Sequence, residues 1–238
     1  MLNAINAEIY KTLHRAYFWI ALGLWTALIV VVDIGCLFLM DGTFSTYTLG
    51  QLTTLPMYMS MGAMDIVFGE EYKHKTLKNS IAAGTTRAQI YFAKLAAEIL
   101  VLLVVWILMC LAELLVALAL LDAGQMVFYL ELTGVMLKAL PLYIAGLALA
   151  NALGFLIPNA TATAFAFVGI MVIPDLALIV LAYKYPALKP LYDVFIMTPL
   201  KNGGTDISEV LRCLVMGIAY FTGFNLAGWA LFRRRELK

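Results

Sequence analysis

GEEYKHKTLKNSIAAGTTRAQIYFAK, residues Gly69 to Lys94, is a polar island between two long apolar runs. It carries Lys73, Lys75, Lys78, Arg87 and Lys94. A surplus of Lys and Arg beside apolar segments marks the side of a bilayer that stays in the cytoplasm, so the island orients everything around it. Glu71 to Ala83 contains neither Gly nor Pro and is expected to be helical, with Gly84 as its C-cap. Thr86-x-x-Gln89 has the spacing of a capping box and predicts the start of a second helix.

The rest of the chain explains why the island stands out. The 238 residues are 63% hydrophobic and 13% charged, with a mean hydropathy of +0.92. This is the composition of an all-α integral membrane protein, because only closed hydrogen-bonded structures cross lipid and a helix needs roughly 20 apolar residues to do so. Six stretches meet that length approximately: Tyr17 to Met40, Tyr47 to Phe68, Leu95 to Leu121, Ala139 to Ile157, Ala160 to Ala182 and Leu211 to Phe232. They form one domain, residues 1–238. The third stretch would be roughly 40 Å long and must tilt or project.

Placing the island inside puts both termini inside. The inner side then holds eleven basic residues (Lys11, Arg15, the five of the island, Arg233, Arg234, Arg235 and Lys238) against five outside (Lys138, Lys184, Lys189, Lys201 and Arg212). The net charge of +1 carries no sign of nucleic-acid binding. Leu2, Ile5, Ile9 and Leu13 recur at helical steps, with Asn3, Asn6, Glu8 and Lys11 mostly facing elsewhere, which reads as an interfacial amphipathic helix. The first apolar run is too long for the core of a signal peptide.

Several acids fall in or near the apolar stretches. Asp65 and Glu98 lie near inner ends, where water is close and Lys94 stands one turn from Glu98. Asp33, Glu113 and Asp175 lie deeper and could line a wet path or make a structural hydrogen bond, since a charge in hydrocarbon turns toward protein or water. Asp175 follows Pro174, which is expected to bend its span. Gly146, Ala150 and Gly154 form a small-residue line, and Gly223 with Ala227 repeats it in the last span, as suits close helix packing or a subunit interface. Residues 183–210 hold Pro186, Pro190 and Pro199 among apolar side chains and read as short helices dipping into the outer leaflet, or as an aromatic anchor. Gln125 to Lys138 reads as an outer interfacial helix.

Catalytic and metal-binding patterns are missing. Cys36, Cys110 and Cys213 are far apart and read as buried thiols, and His14 and His74 have no ligand pattern around them. There is no GxxxxGK[ST] loop for ATP. The pair Glu70 and Glu71 is followed by Lys75 where a glutamic intramembrane protease has Arg, and the histidines such an enzyme needs are absent. The chain does not read as an enzyme, and it binds no cofactor of its own.

With these residues in view, the chain resembles the permease subunit of type-2 ATP-binding-cassette exporters. The local match is Phe68-Gly-Glu-Glu71, then Lys75-Thr-Leu-Lys-Asn-Ser-Ile-Ala-Ala-Gly84, then Thr86-Arg-Ala-Gln-Ile-Tyr-Phe-Ala-Lys94. The resemblance implies a bacterial plasma-membrane protein with six spans, a cytoplasmic coupling helix and an outer re-entrant segment. It also implies two copies of a cytoplasmic ATPase, carrying ATP and magnesium, and a second permease copy or homologue. Glu70, Glu71, Lys73, Lys75, Leu77, Lys78 and Ile81 would dock the ATPase, and the cargo would be a hydrophobic or amphipathic molecule such as a peptide toxin, bacteriocin or antibiotic. The segment's own chemistry agrees, for Leu77 and Ile81 offer an apolar plug among cations, although the same cations would also suit anionic lipid. Two alternatives stand beside it: an ion-coupled carrier using Asp33, Glu113 and Asp175, and a membrane sensor or assembly subunit that transports nothing.

Overall fold

The computed structural model describes residues 2–39, 53–74, 81–82, 84–120, 123–202 and 204–235. No strand occurs among them. Helix α1 (Leu2–Leu13) meets α2 (Ala16–Leu39) at a corner made by His14 and Arg15. The Trp19 indole N–H closes the corner by donating to the Leu13 carbonyl at 2.9 Å, which satisfies one of the acceptors orphaned at a helix end. Arg15 reaches across to the Ile66 and Val67 carbonyls of α3 (Leu55–His74) at 3.1 and 3.4 Å. The long helices α4 (Arg87–Leu120), α5 (Ala123–Leu156) and α6 (Ala160–Lys184) follow. A 3₁₀ turn (Pro186–Leu188), the short α7 (Lys189–Val194) and a second 3₁₀ turn (Pro199–Lys201) then lead to α8 (Ile207–Arg234).

Among the described residues four helices have the length and apolar character of membrane spans: residues 87–116 of α4, residues 130–156 of α5, α6 and α8. Helix α5 is the axis of the bundle. Over an apolar stretch of 18 residues in each helix, 72% of α5 is buried by protein, against 35% for α4 and 17% each for α6 and α8. It packs along α8 and touches α3, α4 and α6. The outward faces of α6 and α8 expose Phe165, Ile173, Leu176, Val180, Val215, Ile218 and Leu226. So large an apolar surface belongs in lipid or under a partner.

Glycines set how closely α8 approaches α5. A Cβ on Gly217 would stand 2.6 Å from the Pro141 Cβ and 2.8 Å from its carbonyl. A Cβ on Gly228 would stand 2.7 Å from the Tyr91 hydroxyl and 3.1 Å from the Ala152 Cα. The expected small-residue line on α8 is therefore displaced: Gly223 has nothing within 4 Å, and Ala227 is exposed. Gly146 does pack as a small residue should, against Met57 and Ser60 of α3.

Three expectations about helix limits change. The third span begins at Arg87, not Leu95, because the capping box forms in both directions: the Thr86 N–H donates to Gln89 Oε1 at 3.0 Å and the Gln89 N–H to Thr86 Oγ1 at 3.3 Å. At 34 residues, α4 is about 51 Å long and overruns a hydrocarbon core of about 30 Å. The outer interfacial helix and the fourth span are one helix, α5, with Pro141 inside it. Lys138, the expected end of the interfacial helix, finds acceptors within the protein and does not force an exit to water. Finally, Glu71 to His74 do not begin a new helix but continue α3 beyond Phe68. Gly84 does adopt φ +89° and donates to the Ile81 carbonyl at 3.0 Å, the left-handed turn expected of a C-cap. Most of the segment between, residues 75–80, lies outside the described residues.

Replacing Gly217 with Leu should separate α5 from α8 and lower stability by about 1–3 kcal/mol, the usual cost of overpacking. Gly223→Leu should leave the unfolding temperature in detergent unchanged, since open space lies beside it.

Candidate functional site

Tyr91, Lys94 and Glu98 stand at i, i+3 and i+7 on α4 and so share one face. That face points into the bundle: their exposures are 0%, 1% and 0%. The Tyr91 ring stacks on Phe155 of α5 with centroids 5.0 Å apart, and its hydroxyl donates to Asn225 Oδ1 of α8 at 3.3 Å. The Lys94 ammonium lies 3.3 Å from Glu8 Oε2 of α1 and 4.6 Å from the Phe68 ring centroid. Glu98 is different, for neither carboxylate oxygen has a hydrogen-bond partner among the described residues. The Asn151 amide on α5 is equally buried and equally without a partner there.

This corrects two expectations. Glu98 is neither near water nor hydrogen-bonded to Lys94, because Lys94 is held by Glu8. Glu8 in turn does not face away from the bundle. Its carboxyl is pulled in two directions, upward by burial and downward by Lys94 and Lys11, and settles below its ordinary value of 4.5. Asp65 accepts the Tyr17 hydroxyl at 2.7 Å and ties α3 to α2.

At the other end of the bundle the chain between α6 and α8 is drawn inward. Its short elements each have Pro in the first turn, where a missing N–H costs nothing. Ile196, Met197 and Leu200 are buried. Asp175 Oδ2 pairs with the Lys201 ammonium at 2.5 Å, while its Oδ1 is buried without a partner among the described residues. Lys138 donates to the Asn202 and Gly204 carbonyls at 2.6 and 2.7 Å. Thr53 donates to the Leu200 carbonyl and Arg212 to the Asp193 carbonyl. Asp175 thus sits where a lock on this segment would be.

The remaining residues singled out in the sequence are placed unevenly. Glu70, Glu71 and Lys73 lie on the final turns of α3, Asp33 on α2 and Glu113 on α4, with their side chains outside the described residues. Lys75, Leu77 and Lys78 fall outside the described residues altogether. Ile81 is half-buried and packs against this protein's own core. Arg87 donates to the Phe232, Arg233 and Arg235 carbonyls at 3.2, 2.9 and 2.7 Å, capping the end of α8. Arg235 donates to the Phe155 carbonyl at the end of α5. No group of three or more His, Cys, Asp or Glu that could hold a metal occurs among the described residues.

No known protein family and no curated protein matches this chain. The site therefore rests on its own geometry. Sequence reasoning missed the stripe of Tyr91, Lys94 and Glu98 although its spacing was visible, because Lys94 and Glu98 at i, i+4 look like an ordinary surface pair.

Asp175→Asn or Lys201→Met should each cost about 2–3 kcal/mol, less than a dry pair because the Lys201 side chain remains 21% exposed. The double variant should recover part of that loss, as measured by proteolysis of residues 186–201. For Glu8, a carboxyl held below its ordinary value stabilises the fold above about pH 4.5 and ceases to do so as the pH falls through its lowered value. Docking of α1 should fail on that acid side in the native chain and show no such acid transition in Glu8→Gln.

Proposed function

We propose that this chain is the membrane subunit of an ATP-driven exporter, powered by two copies of a separate cytoplasmic ATPase and paired with a second permease. The observation that carries this reading is the pair of built helix ends that flank residues 75–83 in sequence. On one side α3 runs unbroken past Phe68 to His74, and on the other the Gly84 turn and the Thr86–Gln89 capping box launch α4. A short cationic segment between two long helices is well placed to receive a push from a soluble partner and pass it along the bundle. In this reading α2 and α3 join the four apolar helices as spans, and the polar end of the bundle faces the cytoplasm. Glu8 lies beside Lys94, and Arg87 donates to the Arg235 carbonyl, contacts that support a shared cytoplasmic side for the two chain ends and the start of α4.

The outer segment is the gate in this scheme, with the Asp175–Lys201 pair as its latch. An open, mostly apolar groove between the outer ends of α5 and α8, with Glu131 and Lys138 on its walls, suits an amphipathic cargo such as a peptide. The buried Glu98 favours a second reading, an ion-coupled carrier that needs no ATPase.

Affinity purification from the native cells in mild detergent separates the two. A stoichiometric P-loop ATPase, lost from the Leu77→Asp and Lys78→Glu double variant while the bundle keeps its unfolding temperature, is the expected result. A pure chain with no ATPase would overturn the exporter reading and favour the carrier.

A further inference from the structure

Burying an ionised carboxylate without a partner is more costly than protonating it, and Glu98 is 0% exposed with both oxygens unpartnered among the described residues. Among the described residues Lys94 is the cation that acts on it, while Arg15 at the α1–α2 corner is engaged with the Ile66 and Val67 carbonyls. From its own helix Lys94 and Tyr91 act on it. Helix α1 brings Glu8, which already holds Lys94 and Lys11. Helix α2 brings Tyr17, and α3 brings Asp65, engaged with each other; Glu70, Glu71 and Lys73 of α3 have side chains outside the described residues. At this level α5 and α8 contribute the amides Asn151 and Asn225, their nearest charges being the arginines at the end of α8. Because α4 and α5 are antiparallel and Tyr91 stacks on Phe155, Asn151 is level with residue 95, and Glu98 is only about 4.5 Å further along the axis.

We propose that Glu98 is a proton-binding site, and that its loading decides which carboxylate Lys94 holds. With the proton on, Glu98 is neutral and leaves Lys94 with Glu8, so α1 stays docked on the bundle. When the proton leaves for solvent at this end of the bundle, the ionised Glu98 lies one turn from Lys94 and draws the ammonium away. Glu8 keeps only Lys11 of its own helix, loses its tie to α4, and α1 is released. The interfacial helix thereby reports the protonation state of the bundle interior, whether or not an ATPase drives the protein.

The test uses the full chain in lipid nanodiscs, with an environment-sensitive fluorescent amino acid at the exposed Ala7 position of α1 and infrared detection of protonated carboxyls. The native chain should show a carboxylic-acid band at neutral pH that disappears as the pH is raised, with the α1 probe loosening in the same titration. Glu98→Gln should lack the band and keep α1 docked, its alkaline release lost or displaced at least tenfold in proton concentration. Glu8→Gln should leave α1 loose at every pH. A band that survives in Glu98→Gln, or a probe titration unchanged in that variant, would overturn the proposal. Should Glu98→Gln fail to fold, the native titration decides alone: α1 remaining docked while the band vanishes refutes the coupling.

Discussion

A helix end surrounded by apolar protein or lipid cannot leave its last carbonyls bare, and in this protein distant cationic side chains supply the missing donors. Arg87 caps α8 from the first turn of α4, Arg235 caps α5 from the end of α8, and Lys138 and Arg212 hold the carbonyls of the segment between α6 and α8. The contacts of Arg87, Arg235 and Lys138 join elements far apart in the chain, while Arg212 reaches back 19 residues to the preceding short helix. Helices that each satisfy their interior hydrogen bonds locally are thus tied to one another at their ends, where local satisfaction fails. The cations also complement the negative ends of the helix dipoles they cap.

Between its two tied ends the bundle is held by close packing around α5. Gly217 and Gly228 let α8 come against Pro141 and Ala152, and Gly146 does the same for α3. In that dry interior the stripe of Tyr91, Lys94 and Glu98 is an exception, and it lies where α1, α4, α5 and α8 converge. Polar groups retained in such a place are costly unless they do something that an apolar residue could not. The link from Lys94 to Glu8 connects that interior to the amphipathic helix α1, so a change of charge inside has a mechanical outlet.

Much of the architecture was legible from local rules. The all-helical membrane character followed from composition, the start of α4 from Thr86 and Gln89, the turn at Gly84 from its lack of a side chain, and the short helices after α6 from their prolines. Each of these depends on residues within one or two turns. The misreadings share the opposite cause. Gly223 and Gly228 are equivalent as letters, and which of them meets α5 depends on how α8 is rotated. Glu98 and Lys94 have the spacing of a surface pair, and only the approach of Glu8 from α1 takes the lysine away. Lys138 looked like the end of an interfacial helix until the carbonyls of Asn202 and Gly204 were brought to it.

By itself, then, the sequence determined that the chain is a set of long apolar helices, where several of them start and stop, and which end of the set is rich in cations. Hydrophobicity, capping and backbone freedom act over a few residues and are written in order along the chain. The tertiary structure decided which charges find partners and which do not. Whether a buried carboxyl is paired depends on a side chain arriving from another helix, and the distance between Glu8 and Lys94 in space has no counterpart in their separation along the chain.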